Sequence, residues 1–171
     1  VQNTLIPRLI PEFAAKNEAG EPEEFGYCLS NPDVIEFVKG WYQHIYEKYL
    51  KPNGVHTFHI QCDEVGKNFC KCAECSKASM EEMLKEYVIG LVKHLVSVGV
   101  QNVVLYNDQF TRHLGKNTFD EAFMQRLRDE GIFDNIIVDW WAYTNACTYP
   151  DVHPNLGRGL RGWVKPMTCS Y

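Results

Sequence analysis

Two neighbouring acidic residues, Asp63 and Glu64, directly follow a run of apolar and β-branched residues, a position that indicates acid–base chemistry. Successive side chains on a strand point to opposite faces, but where a strand bends into a loop both can reach one site. Two carboxylates that close cannot both ionise freely, so the pKa of one is expected to rise. A general acid needs such a raised pKa near neutral pH. The alternative is a solvated acidic turn, because acidic pairs are common on surfaces.

Three cysteines follow the acids with the spacing C-x-C-x-x-C, at Cys70, Cys72 and Cys75. Spacing this tight suits metal binding better than a disulfide framework. A structural Zn²⁺ ion takes four tetrahedral ligands, and here it would pin the loop beside the acids without taking part in the chemistry. A local disulfide or metal-free thiols are the alternatives. The fourth ligand is left open among Cys62, His59, His113 and a cysteine elsewhere.

Composition and charge exclude several classes of function. The net charge is −5 and no Lys/Arg cluster occurs, which argues against a nucleic-acid partner. No apolar run approaches the roughly 20 residues of a membrane helix, and no phosphate-binding or cofactor motif is present. Seven cysteines cannot all pair internally, which favours a reducing, cytoplasmic compartment. The oligomeric state has no signature in the sequence.

The elements that must position these residues alternate between strand-like and helix-like runs. Helices are expected from Ser30-Asn31-Pro32-Asp33 onward, from about Ser79 to Val98, and after Asn117, because capping residues precede apolar positions at helical spacing. The segment KNEAGEPEEFG is expected to be an exposed loop. Strands are expected at TLIPRLI and at residues 55–62, 102–108, 135–143 and 162–171.

This alternation predicts an α/β fold with parallel βαβ units. Two architectures fit, an open doubly wound sheet or part of a (β/α)8 TIM barrel. The strand ends carry polar or aromatic residues, which favours the barrel, because the C-terminal ends of barrel strands build the active site. Since a whole barrel needs about 200–250 residues, residues 1–171 are expected to form a single catalytic domain, or a fragment spanning about strands 3/4 to 7.

The stretch His59-Ile60-Gln61-Cys62-Asp63-Glu64 resembles the His-x-Gly-x-Asp-Glu motif of glycoside hydrolase family 20, the β-N-acetylhexosaminidases. It is closest to the hexosaminidase D-like branch, where a cysteine before Asp-Glu is familiar. The segments CLSNPDVIEFVKGWYQHIYEKY, NVVLYND and NIIVDWWAY also resemble that family, so the similarity runs from about Cys28 to Tyr171. The chain departs from the family at Gln61, which replaces the usual glycine, and in its cysteine cluster.

The resemblance implies a retaining exo-β-N-acetylhexosaminidase that acts on a carbohydrate substrate, an N-acetylhexosaminide, without a catalytic cofactor. Glu64 would be the general acid and Asp63 would orient the acetamido group, whose oxygen attacks the anomeric carbon. A tryptophan in a strand is as often core as ligand wall, Asp108 can instead cap a turn, and whether Asp139 faces the site is left open. The residues expected to contact the sugar are His59, Asp108, Trp140, Trp141 and Tyr171.

Two other functions remain compatible with the sequence. One is a different TIM-barrel glycosidase of a polysaccharide-degradation family, in which Glu64 acts with a second carboxylate such as Asp108. The other is a non-catalytic module that binds carbohydrate or is stabilised by zinc.

Overall fold

A computed structural model describes residues 5–63, 69–106, 120–140 and 165–168 of the chain; for residues 140 and 165–168 it describes the backbone. These residues form a mixed α/β structure with a two-stranded and a four-stranded sheet. The elements in chain order are α1 (Leu5–Leu9), β1 (Ala14–Lys16), β2 (Pro22–Tyr27), α2 (Pro32–Ile45), β3 (Thr57–His59), α3 (Met80–Ser97), β4 (Asn102–Tyr106), α4 (Glu121–Asp129), β5 (Ile136–Trp140) and β6 (Lys165–Thr168).

The larger sheet is parallel throughout and has the strand order β3-β4-β5-β6. The four strands predicted from residue 55 onward are therefore confirmed where the structure describes them. Each strand is added beside the one that precedes it in the chain, as happens in a (β/α) barrel, whereas a doubly wound sheet reverses its order at a switch point. This sheet is not closed into a barrel, so the part-barrel architecture stays a prediction.

The N-terminal segment differs from expectation in two places. TLIPRLI was expected as a strand, but residues 5–9 form the short helix α1, so that prediction is wrong. Pro7 removes a backbone donor that a strand would use, whereas in the first turn of a helix this N–H has no partner anyway. KNEAGEPEEFG was expected as a loop, and only residues 17–21 turn, with Gly20 at φ +82°.

The rest of that acidic segment forms β2, which pairs antiparallel with β1. Pro22 is tolerated because it is the first residue of a strand in a two-stranded sheet, where a missing N–H costs little. Asn17 closes the turn, since its Oδ1 accepts hydrogen bonds from the backbone N–H groups of Ala19 and Glu21, each at 2.9 Å. The hairpin thus forms because Asn17 stabilises the turn and β1 pairs with β2. The acidic composition of the segment predicts neither.

The helices begin where their capping residues predict. Asn31 accepts a hydrogen bond from the N–H of Asp33 at 3.0 Å to open α2, and Ser79 accepts from Glu82 at 3.1 Å to open α3. Asp120 does the same for Phe123 at 2.8 Å at the start of α4. Each side chain satisfies a backbone donor that the first helical turn leaves without a partner.

The core lies between the helices and one face of the parallel sheet. Strand residues alternate between faces, and the helix-facing set is almost fully buried among apolar residues of α2, α3 and α4. The opposite face carries His59, Val104, Tyr106 and Asp139 by the same alternation. The helix-facing strand residues, with Ile60 just after β3, are Phe58, Ile60, Val103, Leu105, Ile136 and Val138.

The end of α2 is anchored to the loop before β4 by one buried hydroxyl. The helix continues through a π-helical turn, Tyr46–Leu50, and ends at Gly54 with φ +71°. Tyr46 is fully buried, and its Oη donates to the carbonyl of Gly99 at 2.7 Å and lies 2.9 Å from His56 Nδ1. None of the described helices has the length and apolar character needed to cross a bilayer.

Tyr46→Phe is expected to lower the free energy of unfolding by about 1–2 kcal/mol, because the Gly99 carbonyl and the His56 ring lose a buried partner. Chemical denaturation followed by circular dichroism measures the change. Tyr49→Phe is the matched control, since Tyr49 is 55% exposed and should change stability little. Equal effects of the two variants would contradict the anchoring role.

Candidate functional site: a four-cysteine cluster beside the acid-bearing turn

Four cysteine side chains converge between the end of β2 and the segment that connects β3 to α3. Cys28 joins Cys70, Cys72 and Cys75, and all four Sγ atoms lie within 4.8 Å of one another. Cys28 Sγ is 3.8 Å from Cys72 Sγ and 3.7 Å from Cys75 Sγ. Three of the four residues are buried, and Cys72 is half-buried. The cluster can therefore hold a metal ion.

Two of the sulfur–sulfur distances match those expected around one tetrahedral ion. Thiolates bind Zn²⁺ at about 2.3 Å, which places the ligand sulfurs of a regular tetrahedron about 3.8 Å apart. The distances from Cys28 agree with that value. Soft thiolate donors favour zinc, copper(I) or iron over magnesium or calcium, and a multi-iron cluster would separate sulfurs that are bound to different iron atoms. The donor set thus fits a single soft metal ion.

Two backbone N–H groups donate to the sulfurs of Cys70 and Cys72 and favour their ionised forms, and one hydroxyl lies close to three of the sulfurs. The N–H of Lys16 donates to Cys70 Sγ at 3.3 Å, and the N–H of Cys75 donates to Cys72 Sγ at 3.4 Å. Ser30 Oγ lies 3.2 Å from the sulfurs of both Cys28 and Cys75, and 3.5 Å from that of Cys72. Such outer contacts orient metal ligands and tune their basicity.

The cysteine pKa values differ across the cluster. Burial acts to raise the pKa of Cys72, but the Cys75 N–H, the Ser30 hydroxyl and neighbouring thiols outweigh it and bring the pKa to about 6. Burial raises the pKa of Cys75 to about 12 and also raises the pKa of Cys70. A metal ion must therefore displace the protons of Cys70 and Cys75 at neutral pH, so its binding weakens as the pH falls.

Distant elements bring the cysteines together. Cys28 directly follows β2, and the N–H of Lys71 donates to the carbonyl of Lys16 at 2.6 Å, which ties the hairpin to the cysteine loop. The sequence predicts the local trio, whereas Cys28 is 42 residues before the trio begins. The other expected fourth ligands lie elsewhere: Cys62 is in the main core, His59 contacts Asp139, and His113 is outside the described residues.

A strained turn leads from β3 to the acids. Gln61 and Cys62 have φ values of +63° and +69°, which cost roughly 1–2 kcal/mol per non-glycine residue. The carbonyl of Gln61 accepts from the N–H of Tyr106 at 2.8 Å, and the Cys62 side chain is fully buried. Asp63 follows half-buried at the C-terminal edge of the sheet. Strain of this kind persists where its surroundings hold it and is frequent at functional sites.

A polar group occupies the sheet face opposite the helices, close to that edge. His59 Nε2 lies 3.3 Å from Asp139 Oδ2, across the intervening strand β4. The ring of Tyr106 lies 4.4 Å from the His59 ring, centroid to centroid. Asp139 is 2% exposed, whereas the His59 side chain is 30% exposed. The sequence offered no signal for this pairing, because the two residues are 80 positions apart.

The remaining predicted residues are placed in part. Trp140 ends β5, at the same edge of the sheet as Asp63, and only its backbone is described. The role of Asp63 in catalysis and the sugar contact of Trp140 therefore stay predictions. Outside the described residues are Glu64, Asp108, Trp141 and Tyr171.

Compared with known proteins, the chain matches no family model and no curated sequence.

Cys28→Ser is expected to reduce bound metal well below one ion per chain, because Cys28 supplies one of the four converging sulfurs. Elemental analysis of protein purified in the presence of zinc measures the stoichiometry. Cys62→Ala is the matched control, since Cys62 is equally buried but lies outside the cluster, and it should keep its metal. Full metal content in the Cys28 variant would contradict the four-sulfur site.

Gln61→Gly is expected to leave the free energy of unfolding unchanged or raise it by up to about 1 kcal/mol, because glycine adopts positive φ without strain. Gln101→Gly is the control; its residue is exposed and has no positive φ, so it should lose about 0.5–1 kcal/mol. Thermal denaturation compares the pair. Equal losses in both variants would show that the Gln61 conformation carries no strain in solution.

Proposed function

We propose that this chain carries the acid-bearing part of a (β/α)-barrel glycoside hydrolase that cleaves N-acetylhexosaminides by substrate assistance, stabilised by a structural Zn²⁺ ion. The observation that carries the proposal is the place of Asp63 immediately after the first strand of a sequentially ordered parallel sheet. In barrels this edge of the sheet builds the active site.

The C-terminal edge of the parallel sheet carries aromatic residues as well as Asp63. Parallel pairing of β3, β4 and β5 brings the backbone positions of Asp63, Tyr106 and Trp140 to the same C-terminal edge of the sheet. Aromatic rings suit a sugar pocket, because the C–H faces of a sugar pack on them and their polar tips can reach its hydroxyl groups. The place of Trp140 at this edge is compatible with its predicted sugar contact, and the contacts of Asp108, Trp141 and Tyr171 belong to the proposal on the strength of the resemblance alone.

The backbone of the turn also supports the proposal. The motif that the chain resembles has glycine where Gln61 stands, and Gln61 has a φ of +63°, a conformation that glycine adopts most readily. A turn with this geometry explains why a glycine would be used at the position. The resemblance and the backbone therefore agree at a residue where the side chains differ.

The proposed chemistry divides the work between two carboxyl groups and the substrate. Glu64 protonates the leaving glycosidic oxygen, while Asp63 accepts a hydrogen bond from the acetamido N–H. The acetamido oxygen attacks the anomeric carbon and forms an oxazolinium intermediate. Water, activated by the Glu64 carboxylate, then opens it with overall retention of configuration.

The zinc ion would act on structure alone. Four thiolates fill a tetrahedral coordination shell and leave no open position for water or substrate, as in structural zinc sites. The ion would join the end of the β1–β2 hairpin to the loop that starts with the acids. Its contribution to catalysis is the placement of that loop.

A second candidate is a non-catalytic module that binds carbohydrate and is stabilised by zinc. The observation that favours it is the cysteine cluster itself, which is the one group of potential metal ligands found among the described residues. In that case the protein would bind metal and sugar without turnover.

Glu64→Gln is expected to lower kcat for 4-nitrophenyl N-acetyl-β-D-glucosaminide by about 10²–10⁴-fold, because the amide cannot donate the catalytic proton. Asp63→Asn should lower turnover and also reduce the preference for the acetamido substrate over 4-nitrophenyl β-D-glucoside. Release of nitrophenol measures both effects.

Glu74→Gln is the matched control, since Glu74 is exposed and pairs with Lys77 on the surface; its activity should equal that of the unaltered protein. Cleavage of the glucoside alone would point to the two-carboxylate glycosidase. Normal activity of Glu64→Gln would exclude Glu64 as the acid, and sugar binding without any hydrolysis would favour the non-catalytic module.

A further inference from the structure

The two ring nitrogens of His59 have different partners. Nδ1 lies 2.9 Å from the backbone N of Gln61, and Nε2 lies 3.3 Å from Asp139 Oδ2. A backbone N–H can only donate, so Nδ1 accepts and carries no proton. The neutral imidazole then holds its proton on Nε2, which donates to the Asp139 carboxylate. The contacts thus select one tautomer.

Asp139 is unusual in its environment. Among the described residues it is the one charged side chain that is almost fully buried. A buried carboxylate is costly unless it is hydrogen-bonded, and the fold supplies the His59 ring as its partner. The ring is in turn held against Tyr106 on the strand between them. These contacts restrict both the position of the imidazole and its tautomer.

The Nδ1 side of the His59 ring binds the strained turn. The Gln61 N–H that reaches His59 Nδ1 belongs to the first of the two residues with positive φ. The Gln61 carbonyl is bound by the Tyr106 N–H at 2.8 Å, and the Ile60 N–H by the Val104 carbonyl at 2.8 Å. The N–H of Gln61 therefore binds a side chain, whereas the Ile60 N–H and the Gln61 carbonyl on either side of it bind β4.

We propose that His59 is a positioning residue: Asp139 holds it as the Nε2–H tautomer, so that Nδ1 fixes the Gln61 N–H and thereby the turn that leads to Asp63. Two consecutive hydrogen bonds, from His59 to Asp139 and from the Gln61 N–H to His59, therefore hold the turn before Asp63 in a fixed position relative to β5. Only the consequence for hydrolysis rests on the proposed function; the tautomer and the turn do not.

The tautomer is directly measurable in the whole protein. Long-range ¹H–¹⁵N correlation spectra of the imidazole should show an unprotonated Nδ1 and a protonated Nε2 for His59. Asp139→Leu removes the acceptor in a similar volume and should raise the population of the Nδ1–H tautomer, while the Gln61 N–H continues to favour an unprotonated Nδ1. A proton on Nδ1 in the unaltered protein, or an unchanged tautomer in Asp139→Leu, would overturn the proposal.

Two substitutions of His59 separate positioning from simple packing. Asparagine offers a side-chain oxygen that can accept from the N–H two residues ahead, as in an Asx turn, whereas phenylalanine keeps the ring and loses the acceptor. Amide exchange of Gln61 should accelerate about tenfold or more in His59→Phe and much less in His59→Asn, because only the first frees the N–H. His44→Phe, at an exposed helix position, should leave it unchanged. Equal acceleration in both His59 variants would overturn the proposal.

Hydrolysis of 4-nitrophenyl N-acetyl-β-D-glucosaminide tests whether positioning of the turn by His59 affects catalysis by the acids. His59→Phe should reduce kcat at least tenfold with little change in KM, and His59→Asn should restore most of the loss. Unchanged kcat in His59→Phe, with Glu64→Gln inactive, would overturn the positioning role alone. If Glu64→Gln retains full activity while the tautomer and exchange results hold, the proposed function fails and the positioning of the turn stands.

Discussion

Parallel pairing of β4 with β3 on one side and β5 on the other is the constraint on which the rest of the structure depends. It aligns three strand ends at one edge, and it brings His59 and Asp139 within hydrogen-bonding distance across a strand that contributes neither residue. It also supplies the Tyr106 N–H that binds the Gln61 carbonyl. A shift of one residue in this register would move every side chain to the other face of the sheet.

The cysteine cluster adds a second constraint, between the β1–β2 hairpin and the loop of residues 70–75. Four thiols brought this close in a largely buried place gain little from one another, whereas a bound cation would neutralise their ionised forms and hold them together. The segments it would join are far apart in the chain, and closing such a loop carries an entropic cost that grows only slowly with length. Backbone contacts between Lys71 and Lys16 already bring the two segments together, so the ion would reinforce an arrangement that the fold begins.

The sequence predicts what local chemistry determines. Asn31, Ser79 and Asp120 cap helices through bonds that span two or three residues, so the starts of α2, α3 and α4 could be read directly. The sequence also predicted the cluster of Cys70, Cys72 and Cys75, because these residues are close together in the chain. Cys28 and the His59–Asp139 pair were not, because their contacts exist only after the sheet and hairpin have formed. The prediction for α1 was wrong because the apolar residues favoured a strand and the effect of Pro7 was underestimated. The prediction for β2 was wrong because the acidic residues favoured a loop and the turn formed by Asn17 was missed.

The order of the cysteines along the chain has a consequence for biosynthesis. All four thiols lie between residues 28 and 75, so the complete donor set is synthesised before β4, β5 and β6 and emerges from the ribosome before them. Because segments made early can fold while later ones are still being synthesised, a metal ion could cross-link the nascent hairpin and loop when the sheet has one strand. The later strands would then assemble against an edge whose geometry is already set.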